Sequence, residues 1–398
     1  MKKENIKLYW FLIFAFLTVF LIPITYSKYT SSFNKKVSIS LVNPQYTVAF
    51  NSNAPVGTTP VGAMTNQAFT YGTADELNEN KFSVKNYIFT GWNTSVDGTG
   101  ASYDDQQSVI NLSYVDGDVV TLYAQWRVLK VANVTMSGEG LLGKMKQFAN
   151  NGIAFSSPYA AFNTNIVSFK RASTSQYNAV KGSLTSDNVI SSSSSTYEVN
   201  MWFDDTEGTI YFYTDADIIG KSGDMIRMFA KMTNLTDISG LEYFDTSAVT
   251  DINRMLQDCP NLSDLSPLAD WDVSSVTNMA FMFGANPPRE MSISDLTPLK
   301  NWNVSNVTNM DSIFKYCKSL TTLTGLENWN VSNVTNFQQA FNQTGLTDAM
   351  AIKDWNVIKA TNFDKMLGNT SSTLPADKMP SFTVKPGTWN SQGTYIPN

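Results

Sequence analysis

The chain has 398 residues, with 28 Lys and Arg against 34 Asp and Glu, a formal net charge of −6, and no histidine. That length accommodates more than one domain. The lack of histidine excludes imidazole bases, serine-type triads and histidine-ligated zinc or iron, and the acidic balance argues against nucleic acid as a partner.

At the N-terminus, Lys2, Lys3 and Lys7 precede an apolar run from Leu8 to Ile24, broken by Thr18 and Pro23, and Thr25-Tyr26-Ser27 supplies the small residues of a cleavage site after Ser27. The run is longer than a usual signal core and barely long enough to span a bilayer. Residues 1–27 are therefore expected to be a cleaved signal peptide or an uncleaved membrane anchor, and either places residues 28–398 outside the cell. Residues 28–44 read as a linker.

Residues 45–127 alternate as short strands do: Tyr46-Thr-Val-Ala-Phe50, Gln67-Ala-Phe-Thr-Tyr71, Tyr87-Ile-Phe-Thr-Gly-Trp92 and Val119-Val-Thr-Leu-Tyr-Ala-Gln-Trp126. Gly57, Gly72, Asp97-Gly98 and Asp116-Gly117 punctuate them. Asp97, Asp104 and Asp105 are close enough in sequence for a calcium loop, but Asp97-Gly98 reads better as a hairpin turn with the other two carboxylates solvated. The strings Tyr46 to Phe50, Tyr87 to Thr94, Asp97 to Tyr103 and Leu122 to Trp126, in that order, resemble the internalin-type B-repeat family. The resemblance implies a β-grasp-like domain of bacterial surface proteins, used as a spacer or a weak interaction module. In place of that family's Gly-rich stretch after the first strand stands Asn53-Ala-Pro-Val-Gly57.

From 128 to 224 the pattern is irregular. It ends in two strands, Tyr197 to Phe203 and Thr209 to Tyr213, around Asp204-Asp-Thr-Glu-Gly208. This hairpin is expected to cover the open end of a repeat array over 225–370, because a terminal repeat lacks one neighbour. Asp204, Asp205 and Glu207 at its tip read as a solvated turn rather than as an acid and base pair.

Residues 225–370 hold the repeats. Heads begin at Phe244, Trp271, Trp302, Trp329 and Trp355, 26 to 31 residues apart, each followed by an apolar pair: Met255-Leu256, Met282-Phe283, Ile313-Phe314, Ala340-Phe341 and Met366-Leu367. A fixed period of this size predicts a stacked solenoid. Within one repeat Leu320, Leu323, Leu326 and Trp329, then Val331, Val334 and Phe337, recur at every third position, as in coils that turn corners with a short strand and a short helix. Asp251, Asn278, Asn309, Asn336 and Asn362 each precede an apolar i, i+3, i+4 set and are expected to be helix N-caps. Trp271, Trp302, Trp329 and Trp355 fall in phase with the leucines, and with Met282, Phe283, Phe314 and Phe341 they are assigned to the core. Cys259 and Cys317 sit two repeats apart, roughly 10 Å at one strand spacing per repeat, too far for a disulfide, and read as buried thiols. Length varies at one joint only; its longest form, Gly284 to Ser292, contains Pro287, Pro288, Arg289 and Glu290, the candidate partner-contact residues.

The heads and pairs resemble the BspA-like leucine-rich surface repeat family over about residues 197 to 370, and Trp302 to Cys317 follow its unit nearly throughout. The resemblance implies a bacterial extracellular surface protein with an adhesion or protein-binding role and no catalytic residues. Phe244 for Trp, Leu256 and Leu367 for Phe, and Ile358-Lys359-Ala360 in the last head depart from that unit.

The expected architecture is thus modular α+β: a small β-grasp-like domain, a cap over 128–224, a leucine-rich-repeat solenoid with short strands and short helices over 225–370, and a tail or cap over 371–398. The expected function is that of a non-enzymatic cell-surface or secreted protein with no cofactor or metal, which binds a protein or glycan on another cell or matrix. A structural spacer or matrix component of the envelope is the competing expectation.

Overall fold

The computed structural model describes residues 43–150, 165–368 and 374–398. Two compact units divide the chain, Met1–Arg127 and Val128–Asn398. The expected signal peptide or anchor, residues 1–27, lies outside the described residues, and among those no helix is long and apolar enough to cross a membrane.

In the first unit the strands run in chain order β1 (Gln45–Asn51), β2 (Pro60–Val61), β3 (Gln67–Thr70), β4 (Asp75–Glu76), β5 (Ser83–Val84), β6 (Tyr87–Asn93), β7 (Ser102–Tyr103), β8 (Ser108–Val109) and β9 (Asp118–Val128). Five of them form one sheet in the order β3-β1-β9-β6-β7, with β1 parallel to β9 and antiparallel to β3. The period-2 pattern turns Tyr46 and Val48 of β1 inward with Trp92, Leu122 and Ala124. Phe50 and Phe89 pack on the Trp92 ring at 4.9 and 5.0 Å, so aromatic area supplies most of this small core.

The β-grasp-like expectation is not met, since no helix crosses this sheet among the described residues. The chain that such a helix would need instead turns at Gly72, pairs β4 with β8 and β5 with β2, and turns again at Asn86, whose φ is +67°. Asp75, Glu76, Ser83 and Val84 are held in those pairs, and the N–H groups of Asn78, Asn80 and Phe82 donate to side chains rather than to carbonyls four residues back. Asp97 belongs to a tight turn: its Oδ1 accepts from the Ser95 and Thr99 hydroxyls, both at 2.7 Å, and from the Thr99 N–H at 3.1 Å. Those bonds hold its pKa down at about 2.

The second unit begins with β10 (Val131–Val134), α1 (Gly138–Ala149), β11 (Ser168–Arg171), α2 (Thr174–Val180), β12 (Asn200–Asp204), β13 (Thr209–Tyr213), β14 (Ile218–Asp224) and β15 (Phe244–Asp251), and closes with β16 (Gly387–Trp389) and β17 (Tyr395–Pro397). The Ser137 side chain caps α1 by accepting from the Gly140 N–H, and the helix buries Leu141, Leu142 and Met145. Strands β12 and β13 form an antiparallel hairpin with β11 on its other edge. On that sheet α2 lays Tyr177 against Tyr213, with ring centroids 4.2 Å apart. Strands β10, β14 and β15 make a parallel sheet.

The leucine-rich-repeat solenoid with short strands and short helices does not form. Beyond Asp224, up to residue 368, the chain has one strand, β15, some 3₁₀ turns and no α-helix; both α-helices of the described chain precede it. Successive repeats touch through single parallel bridges, Asp251 to Asn278 to Asn309 to Asn336 to Asn362. The physical reason lies in the backbone just where helices were expected. Arg254, Phe281, Ser312, Gln339 and Lys365 have φ between +52° and +56°, the left-handed region that interrupts a right-handed helix. The N–H groups of Met279, Phe281, Phe283 and Ala285 donate to the carbonyls of Asn309, Asp311, Ile313 and Lys315 in the following repeat instead of four residues back. Of those in between, Met282 and Gly284 turn back three residues, to Met279 and Phe281, and Ala280 donates to the Asn278 side chain. Asp251, Asn278, Asn309, Asn336 and Asn362 are consequently not helix N-caps. The three-residue turn also explains the misleading apolar spacing, because Met279, Met282 and Phe283 are buried without any helix.

One continuous core runs from Ala132 through the repeats to Tyr395. At its far end the β16–β17 hairpin sets Tyr395 against Phe363 at 5.4 Å and Phe382 at 4.9 Å.

Candidate functional site

The recurring letters of the repeats are engaged with one another. Trp302, Trp329 and Trp355 stack at 6.3 and 6.4 Å with their planes 3° and 2° apart. The Nε1–H groups of Trp271, Trp302, Trp329 and Trp355 donate to the carbonyls of Leu241, Leu268, Leu299 and Leu326. Phe283, Phe314 and Phe341 form a second stack at 5.3 and 5.8 Å. Met282 is fully buried.

The asparagines form a ladder. Asn278 Nδ2 donates to Asp251 Oδ2, Asn309 to Asn278 Oδ1 and Asn336 to Asn309 Oδ1, at 3.1 to 3.2 Å. In each repeat the Oδ1 also accepts the N–H two residues on, that of Asn253, Ala280, Asp311, Gln338 or Asp364. Asn362 leaves the column and donates to Gln338 Oε1. Beside it, Thr277, Thr308, Thr335 and Thr361 each donate both N–H and hydroxyl to the threonine carbonyl one repeat earlier. Cys259 and Cys317 are buried thiols, and desolvation pushes Cys259 up to about 12. None of these groups is left over for a ligand.

What varies between repeats gathers elsewhere. A cleft of about 370 Å³ is lined by Arg227, Lys231, Arg254, Gln257, Asp258, Asn286 and Arg289, with Leu142 of α1 and Ala230 as its apolar wall. Arg227 and Arg254 occupy the same place in successive repeats: the Arg227 N–H bonds the Asn253 carbonyl, and the Arg254 N–H bonds the Ala280 carbonyl. Both have φ of +56°, which turns them out of the ladder. Glu139 of α1 pairs with Arg227 at 2.7 Å. The Arg254 guanidinium lies 5.0 Å above the Phe281 ring. Burial, then the charge of Arg227, holds the Arg254 pKa below its ordinary value. Asp258 is buried, and its Oδ1 accepts the Asn286 N–H at 2.7 Å.

The insertion Gly284 to Ser292 therefore divides in two. Asn286 and Arg289 line the cleft, while Pro287 and Pro288 are exposed and Glu290 pairs with Lys318. Sequence reading missed Arg227, Lys231, Arg254 and Gln257. The available signal was the 27-residue offset of Arg227 and Arg254, equal to the local repeat length, at a position where later repeats carry Phe281, Ser312 and Gln339.

A family described as "Mycoplasma protein of unknown function, DUF285" matches residues 223–296 and again residues 289–384. Over 52 residues the chain is 40% identical to a "Putative Gly-rich membrane protein" of Evansella cellulosilytica. That stretch is 13% of this chain and 6% of the relative's length. No solved structure matches the chain.

Proposed function

We propose that the protein is exported, sits at the bacterial cell surface, and binds a protein or glycan there without catalysing a reaction. The observation that carries this reading is the division of labour in the repeats. The recurring Trp, Asn and Thr columns are hydrogen-bonded from repeat to repeat, whereas residues that differ between repeats converge on one open cleft. The lysines before the Leu8 to Ile24 run support export, and the membrane protein that resembles 52 residues of this chain supports a location at the membrane or cell surface. The resemblance to BspA-like repeats favours adhesion as the role.

Protease shaving of intact cells, followed by arrays of glycans and host-surface proteins probed with the exported chain, tests both halves. Release of the protein's peptides by shaving and capture of a defined ligand are expected. Resistance to shaving would contradict the location, and an absence of any ligand together with self-assembly of the purified chain would favour a structural spacer instead.

A further inference from the structure

We propose that the cleft between Arg227, Lys231, Arg254 and Arg289 binds a phosphomonoester carried on a sugar-sized unit. This names the ligand chemistry of the proposed binding role and rests on it.

Charge is the first argument. A chain of net charge −6 places four of its 28 cationic residues around one cleft. Only one carboxylate, Asp258, lines it, and that group is already engaged by the Asn286 N–H. Glu139 pairs with Arg227 and the Asp311 carboxylate acts on Arg254 from the following repeat, and the lining itself sets four cations against Asp258 alone. A phosphomonoester carries about −1.5 to −2 at neutral pH and three strong acceptor oxygens, so one such group meets several of these donors at once.

Geometry is the second. Arg254 has a 3.4 Å contact to its neighbour Asn253 and feels the Asp311 carboxylate without a direct ion pair among the described residues, and the Arg289 side chain has no hydrogen-bond or ion-pair partner among them. Guanidinium groups present paired N–H donors that suit phosphate oxygens. Arg227 and Arg254 are stacked like charges, half-buried, where repulsion is less screened than in water. An anion between them removes that repulsion. The cleft volume is at the small end of ligand sites, enough for a hexose phosphate, and the Gln257 and Asn286 amides are suited to sugar hydroxyls. The acidic remainder of the chain opposes a long polyanion, which confines recognition to a single group.

Isothermal titration of the full exported chain with a hexose phosphate, inorganic phosphate and the parent hexose tests this. One saturable site is expected for the hexose phosphate, competed by inorganic phosphate and not by the parent hexose. Affinity should fall about tenfold or more in Arg254→Gln and in Arg289→Gln, stay unchanged in Lys300→Gln, an exposed residue that does not line the cleft, and weaken with added salt. Unfolding midpoints of the variants establish that they are folded, and Arg289, on the inserted loop, gives the variant least coupled to the core. Hexose phosphate binding that is absent, or equal in wild type and both arginine variants, would overturn the proposal. Equal binding of the parent hexose would overturn it too, while leaving the wider binding role intact.

Discussion

The asparagine ladder makes a quantitative prediction that separates it from a row of helix caps. Asn309 makes three side-chain bonds: Nδ2 to Asn278 Oδ1 at 3.2 Å, and Oδ1 from the Asp311 N–H and from Asn336 Nδ2, both at 3.1 Å. At about 1 kcal/mol net for each bond, Asn309→Ala should cost about 3 kcal/mol. Asn336 makes two, to Asn309 Oδ1 and from the Gln338 N–H, so Asn336→Ala should cost about 2 kcal/mol. The bond the two residues share is lost only once, and the double variant should lose about 4 rather than 5 kcal/mol, a coupling of about 1 kcal/mol. Independent N-caps would each cost about 1 kcal/mol with no coupling, since they would stand on separate helices. Guanidinium unfolding of the four chains, followed through the fluorescence of Trp302, Trp329 and Trp355, measures the cycle. A coupling under about 0.3 kcal/mol, within ordinary additivity for separate sites, would refute the ladder.

Other perturbations exploit burial. Trp329→Ala removes a ring that is 3% exposed and stacked on both sides, for an expected loss of about 3 to 5 kcal/mol in unfolding free energy; Trp329→Phe, which orphans only the Leu299 carbonyl, should lose about 1 to 3 kcal/mol. Burial pushes both thiols up, Cys259 to about 12, so a disulfide reagent at pH 8 should label the native chain only as fast as it unfolds and the denatured chain at both sites; rapid native labelling would contradict their burial. Lys221 is 1% exposed, and desolvation lowers its pKa from 10.5 to about 8. Between those values the unfolded chain holds the proton that the folded chain has released, so stability should rise with pH across that window. Lys221→Met should reduce the rise and stabilise the chain below pH 8, as followed by thermal unfolding against pH; an unchanged slope would show that Lys221 is not its source.

The period of the repeats was legible because stacking forces like onto like. Trp302 and Trp329 are 27 residues apart in sequence, and it is those two rings that lie parallel. The sign of φ was not legible. Arg254, Phe281, Ser312, Gln339 and Lys365 include none of the residues that favour a left-handed backbone, such as Gly, Asn or Asp. Their conformation is imposed by the alternation of inter-repeat and three-residue hydrogen bonds, which only the neighbouring repeat makes possible. An i, i+3, i+4 apolar set looks the same whether it winds as a helix or folds as successive tight turns, and the choice between them is tertiary. In the first unit, likewise, β4 and β5 find partners in β8 and β2 across 33 and 24 residues of sequence, counted from Asp75 to Ser108 and from Pro60 to Val84. Neither strand exceeds two residues, too short for any periodicity to register. The cleft had the same difficulty, since Leu142, Arg227, Arg254 and Arg289 come from α1, two repeats and an insertion.

The ladder also gives a physical reason for assigning the proposed recognition to the differing residues. In a repeat such as Trp329 to Phe341, the indole N–H, the Asn336 amide and the Thr335 hydroxyl each bond an adjacent repeat, and Asn330 Oδ1 accepts the Ser332 N–H of its own turn. Replacing any of these for the sake of a ligand would leave a partner unsatisfied in the preceding repeat or, for Asn330, in its own turn, at a cost of about 1 to 3 kcal/mol. The position held by Arg227, Arg254, Phe281, Ser312, Gln339 and Lys365 carries no such duty: its backbone is fixed by the N–H bonds of the ladder, and its side chain changes from cation to aromatic to hydroxyl to amide without altering the stack. A column with constant backbone and free side-chain chemistry lets a repeat protein change its surface while its fold stays the same. In this chain the charges concentrate where that column meets α1 and the inserted Arg289.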